Sequence, residues 1–170
     1  MTAAMIVFRL FHVISAVLWV GGFVMLVYFI LPSLRASGPS GGQVMRTVLV
    51  KTSLVSYFPI VGGLTVLSGL AMFWRDSSIA QSNWAASASG MTFSIGGLAG
   101  LIALIVGGVM VGRSISQIRQ IFLASDPGAP PSPEQAARIA QLQERAARGN
   151  RIVGPLLAIA VVAMAIARYM

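Results

Sequence analysis

The stretch FRLFHVISAVLWVGGFVMLVYFILP, Phe8 to Pro32, decides the fold. Apart from Arg9 near its start it is an unbroken run of apolar and small residues, and it holds the only histidine of the chain, His12. A bilayer core of roughly 30 Å needs about 20 such residues in helical conformation to be crossed. This segment is long enough. Successive helical residues turn by about 100°, which brings His12, Ser15, Trp19 and Gly22 onto one face. An ionisable group inside a spanning segment is costly and usually faces the bundle interior. That face is therefore expected to look at protein, with His12 as the candidate functional residue.

Three further apolar segments follow, so that spans are predicted over about 5–31, 48–74, 92–112 and 152–169. Over 170 residues the chain is 56% hydrophobic and only 9% charged, with a mean hydropathy of +0.84. The expected fold is all-α: an integral membrane four-helix bundle in a single transmembrane domain. The first run outlasts the apolar region of about 7–15 residues found in a cleaved signal peptide, and no basic segment precedes it, so it is read as a retained span. No cysteine is present, which excludes disulfides, thiolate metal sites and a cysteine nucleophile. The net charge of +8 comes from basic residues lying between the apolar runs, without the aromatic-interleaved patch of a nucleic-acid binder. Nucleic acid is not an expected partner; the lipid bilayer is.

The connections differ in chemistry. Between the second and third spans the chain is short, Ser-rich and nearly neutral, with Arg75 offset by Asp76 and with Trp84 as an expected interfacial anchor. The connection over 113–151 is the most charged. Its first part places Ile115, Ile118, Ile121 and Phe122 at helical spacing, PGAPPSP interrupts it, and a short helix is predicted over 133–148. Ser132, Pro133 and Gln135 form a capping-box start, Glu134/Arg138 and Glu144/Arg148 are i,i+4 pairs, and Gly149-Asn150 reads as the stop.

With four spans, the first and third connections share one side. They carry Arg35, Arg46, Lys51, Arg113, Arg119, Arg138, Arg145, Arg148 and Arg151, whereas the other side has only Arg9, Arg75 and Arg168. The positive-inside rule then puts the long connections in the cytoplasm and both termini on the extracytoplasmic side. If the first two spans form an antiparallel hairpin, His12 is level with the region around Leu67, and at 1.5 Å per residue Lys51 lies roughly 24 Å away along the membrane normal.

Three chemistries fit the level of His12. Met72 and Met91 are expected there, so His12 with a methionine would make an axial pair for haem b, with Arg9, Arg75 and Arg168 placed to meet propionates. The same histidine and methionines would suit Cu(I), with His12 as the metal ligand. Alternatively His12 makes one hydrogen bond across the bundle and binds nothing. Paired glycines at Gly21-Gly22, Gly62-Gly63, Gly96-Gly97 and Gly107-Gly108 permit close helix approach, inside the bundle or with a partner, including a second copy. Pro59 and Pro155 fall inside spans and are expected to disturb them. All four carboxylates lie in connections, and no phosphate loop, nucleophile elbow or zinc-protease motif occurs, so catalytic groups are not expected.

The segment FHVISAVLWVGG, the later LPSLR, and the pattern Pro59, Thr65, Gly69 in the second span resemble bacterial multi-helix membrane proteins related to the CopD copper-resistance domain and to HemJ-type protoporphyrinogen oxidases. The likeness covers about the first 75 residues. It implies that His12 serves haem or a metal, and it implies a bacterial inner membrane location. HemJ-type enzymes also use a lysine in a later helix, and the one lysine here, Lys51, falls at the opposite end from His12. CopD-type proteins carry additional histidines and methionine clusters that this chain lacks. The combined expectation is an accessory or structural subunit of a larger respiratory or photosynthetic membrane complex, with a b-haem protein and a copper-handling protein as alternatives.

Overall fold

A computed structural model describes residues 3–79, 84–126 and 130–170, and every element among them is helical. Helix α1 (Ala3–Val24) passes through a π turn at Met25–Ile30 into α2 (Leu31–Ala36). Pro32 explains the widening. It has no N–H to return to the carbonyl four residues back, and the Leu31 N–H reaches five residues back, to the Leu26 carbonyl. Gly38, at φ +58°, then reverses the chain into α3 (Gly38–Lys51), and Gly41 lets α3 lie directly on the Leu34 carbonyl, where any Cβ would collide.

Helix α4 covers Leu54–Ile79, and α5 (Ala88–Val106) runs through a second π turn at Gly107–Gly112 into α6 (Arg113–Ala124). The last helix, α7, covers Pro133–Ile166. Four helical stretches are long and apolar enough to cross a membrane: Ala3–Ala36, Leu54–Ser78, Ala88–Ala124 and Pro133–Tyr169. At 1.5 Å per residue all four are longer than a hydrocarbon core of roughly 30 Å, the three longest by a wide margin, so part of each of those three extends beyond it.

Helices α1 and α4 pack closely along their length, as do α5 and α7. One buried cluster joins all four: Trp19 and Phe23 of α1, Val61 of α4, Ala103 of α5, and Val153 and Leu157 of α7. Around it, side chains such as Leu10, Val17, Leu67, Leu98 and Val162 are exposed, which suits lipid contact. A second cluster lies where the first and third connections meet. Leu49 of α3, Ile118 of α6, and Ile139 and Leu142 of α7 are buried together, with Ile115, Ile121 and Phe122 against them. Arginines tie this layer. The Arg46 guanidinium donates to the carbonyls of Phe122, Ser125 and Asp126 at the end of α6, and Arg119 Nε donates to the Leu49 carbonyl near the end of α3, 3.0 Å away.

Several expectations are revised. The second span begins at Leu54 and not near Val48, because the chain breaks at Thr52, whose backbone is extended and whose hydroxyl bonds the Val48 carbonyl. Residues Val48–Lys51 belong to α3. The short helix predicted over 133–148 does not stop at Gly149-Asn150 but continues without interruption to Ile166. Gly149 is a packing residue: a Cβ there would lie 2.9 Å from Met110 and from Val111. The Glu134–Arg138 pair is not formed. Arg138 donates to Gln141 at 2.7 Å and to Gln117 at 3.0 Å, whereas Glu144 and Arg148 do approach, to 3.6 Å. Trp84 is half-buried between Phe73 and Phe93, and Trp74 is the exposed indole at that end. The capping box at Ser132 and Gln135 forms with both bonds in place. Part of PGAPPSP, residues 127–129, lies outside the described residues.

Candidate functional site

The face of α1 read from the sequence does look at protein. Ser15 and Trp19 are 4% and 6% exposed, Gly22 lies under the ring of Tyr57, and His12 is half-buried against α4. The antiparallel register holds as well: His12 meets Thr65, Ser68 and Gly69, around the expected level of Leu67.

His12 Nδ1 lies 2.8 Å from the Thr65 carbonyl oxygen. A carbonyl only accepts, so Nδ1 carries the hydrogen and donates it. This fixes the ring: in the neutral imidazole Nε2 holds the lone pair. No hydrogen bond to Nε2 is formed among the described residues. Ser68 Oγ stands 3.5 Å from Nδ1, at the edge of hydrogen bonding, and itself donates to backbone carbonyls of α4. Gly69 gives the ring its room, because a Cβ there would come within 2.8 Å of His12 Cε1.

One turn further along α1 the chemistry is a hydroxyl pair. Thr65 Oγ1 is 2.9 Å from Ser15 Oγ, and Ser15 bonds back to the Phe11 carbonyl. Ser15 donates to the Phe11 carbonyl, and the single Thr65 hydroxyl hydrogen has two acceptors, Ser15 Oγ and the Val61 carbonyl 2.8 Å away. Thr65 thus serves α1 twice, by its backbone oxygen to His12 and by its side chain to Ser15. No buried side-chain nitrogen or oxygen among the described residues lacks a partner.

The other expected site residues do not gather around the ring in this way. Met72 follows Gly69 by one turn on the same face of α4 and is half-buried, whereas Met91, on α5, is exposed. Arg75 lies 3.8 Å from Asp76, Arg168 stacks over Tyr169 at 5.1 Å, and Arg9 is exposed. Among the described residues, the polar contacts of the His12 ring all come from α4. No group of three or more His, Cys, Asp or Glu side chains able to hold a metal occurs among the described residues. The chain matches no family model, no curated protein and no solved structure.

The paired glycines divide their work. Gly22 admits Tyr57, Gly62 admits Trp19 and Leu104, and Gly96 admits Ala163 and Met164, while their neighbours Gly21, Gly63 and Gly97 have open space where a Cβ would stand. Sequence reasoning treated each pair as one feature. What it missed entirely is a second polar centre at the far end of the molecule, where Arg138, Arg145 and Arg148 line a cavity with Met110.

Proposed function

We propose that the protein is a multi-pass bundle of the bacterial inner membrane, with both termini extracytoplasmic, that acts as an accessory subunit of a larger respiratory or photosynthetic complex. The observation that carries this reading is the division of the glycines. One member of three pairs is consumed by packing within the chain, and the other presents bare backbone outward, where a further helix can approach closely. The orientation is supported by Arg46 and Arg119, which draw the first and third connections together and so gather the basic residues at one end. The test is isolation in mild detergent of wild-type protein and of a Gly21→Leu/Gly63→Leu/Gly97→Leu variant of equal thermal stability. Stoichiometric co-purification of other membrane chains with the wild type, lost in the variant, is expected. A wild-type chain found only as monomer or homodimer would rule the subunit reading out.

A second reading is favoured by His12 itself. Its Nδ1–H is held by a backbone carbonyl and its Nε2 has no hydrogen-bond partner among the described residues, the arrangement in which an imidazole serves as a metal ligand. His12 would hold a b-type haem through Nε2, and the group would supply one-electron redox chemistry. The second ligand would come from Met72 or another chain. Visible spectra of the purified protein, oxidised and dithionite-reduced, decide it: a Soret band absent from His12→Ala supports ligation, and a featureless spectrum from folded protein removes it.

A further inference from the structure

Along the first half of α7, Arg138, Gln141, Leu142, Arg145 and Arg148 recur at helical spacing and form one stripe. Together with Met110, in the π turn at Gly107–Gly112, they line a cavity of about 340 Å³. Its charge is not neutralised from within. Arg138 is held by two neutral amides, Gln141 and Gln117. Among the described residues Arg145 has only a long contact, 3.4 Å, to the Val109 carbonyl. Arg148 has Glu144 at 3.6 Å, but both side chains are more than half exposed, so this pair is weak. Three guanidinium groups therefore face one carboxylate. Planar guanidinium forks suit the oxygens of a phosphate and bind it with charge-assisted hydrogen bonds.

The position along α7 selects the kind of phosphate. The apolar part of this helix begins at Ile152, and at 1.5 Å per residue Arg148 and Arg145 stand roughly 6 and 10 Å before it, the depth of lipid headgroups beside a hydrocarbon core. Most of the lining is polar, and its apolar edge is Met110, near the end of the apolar run of the α5 rod, with the exposed Val109 beside it. A free anion gains nothing from that apolar edge or from the nearby hydrocarbon, whereas the acyl chains of a lipid do. We propose that this cavity binds the phosphodiester of an anionic phospholipid of the basic leaflet.

The experiment uses the full chain in mild detergent and counts bound lipid by native mass spectrometry. The probes are phosphatidylglycerol, phosphatidylcholine and glycerol 3-phosphate. Wild-type protein is expected to retain phosphatidylglycerol in preference to phosphatidylcholine. Arg145→Gln/Arg148→Gln should weaken that retention by about 30-fold, the product of two interfacial arginines. These side chains are exposed, so folding should be unchanged, which a thermal melt verifies. Arg9→Gln/Arg168→Gln, with the same change in charge at the other end, should retain the lipid. Equal retention of phosphatidylcholine, or undiminished phosphatidylglycerol on Arg145→Gln/Arg148→Gln, would overturn the proposal. So would displacement of the lipid by an equal concentration of glycerol 3-phosphate, which would mark a site for free phosphate.

Discussion

In the spanning part, Trp19 and Phe23 meet Val61, Ala103, Val153 and Leu157, and most large apolar side chains outside that cluster turn away from the protein. At the basic end, Leu49, Ile118, Ile139 and Leu142 close a core whose outer faces carry arginine, glutamine and glutamate. The difference is one of solvent. Lipid tails are as apolar as leucine, so burial gives little reason for spanning helices to associate, and close backbone approach and interhelical hydrogen bonds take over. Glycines at crossings and the contacts among His12, Ser15 and Thr65 are what that solvent selects. The layer of α3, α6 and the start of α7, apolar inside and polar outside, has the pattern that water selects, in which removal of apolar area is the main driving force.

Equivalent damage should therefore cost different amounts in the two regions. The largest effect is expected from Leu49→Ala, because Leu49 is 1% exposed and its loss leaves a cavity in a core whose outer faces are polar. A cost of about 2–5 kcal/mol is expected in chemical denaturation, with faster hydrogen exchange in α3 and α6 and little change in α1 and α4. A uniform rise in exchange across all helices would erase the distinction between the two regions. Gly69→Ala comes next, at about 1–3 kcal/mol, since the added carbon meets the imidazole. Adding His12→Ala to that variant should restore most of the loss in a double-mutant cycle; strictly additive costs would mean the ring is not what Gly69 accommodates.

Thr65→Val removes the hydroxyl bond to Ser15 but leaves the Thr65 carbonyl for His12. Interhelical hydrogen bonds in membranes average about 0.6 kcal/mol, so a shift of that order in thermal unfolding is expected. A shift of several kcal/mol would show that the hydroxyl pair, and not glycine packing, holds α1 to α4. Smallest of all should be Arg148→Ala, at about 0–0.5 kcal/mol, because its pair with Glu144 is exposed on the helix surface. In bilayers of anionic lipid the loss should exceed that in detergent, as the proposed lipid site requires, and an equal loss in both would count against that site.

The spanning region was the more legible of the two. The need for about 20 apolar residues marks four segments without reference to tertiary structure. The spacing of His12, Ser15, Trp19 and Gly22 reveals which way α1 faces, and two residues of the pattern Pro59, Thr65, Gly69 turn out to receive His12. The basic layer was harder. Gly149-Asn150 reads locally as a helix stop, whereas Gly149 lets α7 cross the rod of α5 and α6, and that partner lies about 40 positions earlier in the chain. Thr52 ends α3 through a hydroxyl-to-backbone bond, in competition with an apolar run that reads straight through it. Arg138 prefers Gln117 on another helix to Glu134 on its own, which no spacing rule on one helix anticipates.

The two π turns carry a consequence for how this chain tolerates change. Each takes up roughly one residue more than an α-helical turn, and one residue corresponds to about 100° of azimuth. Trimming a single residue from Gly107–Gly112 would leave α5 and α6 as one straight rod of nearly the same length. Yet it would swing Ile118 and Arg119 about a quarter-turn away from Leu49, uncoupling the two halves of the molecule while every apolar run stayed intact. The turn therefore acts as a phase setting between a face chosen for lipid and a face chosen for water.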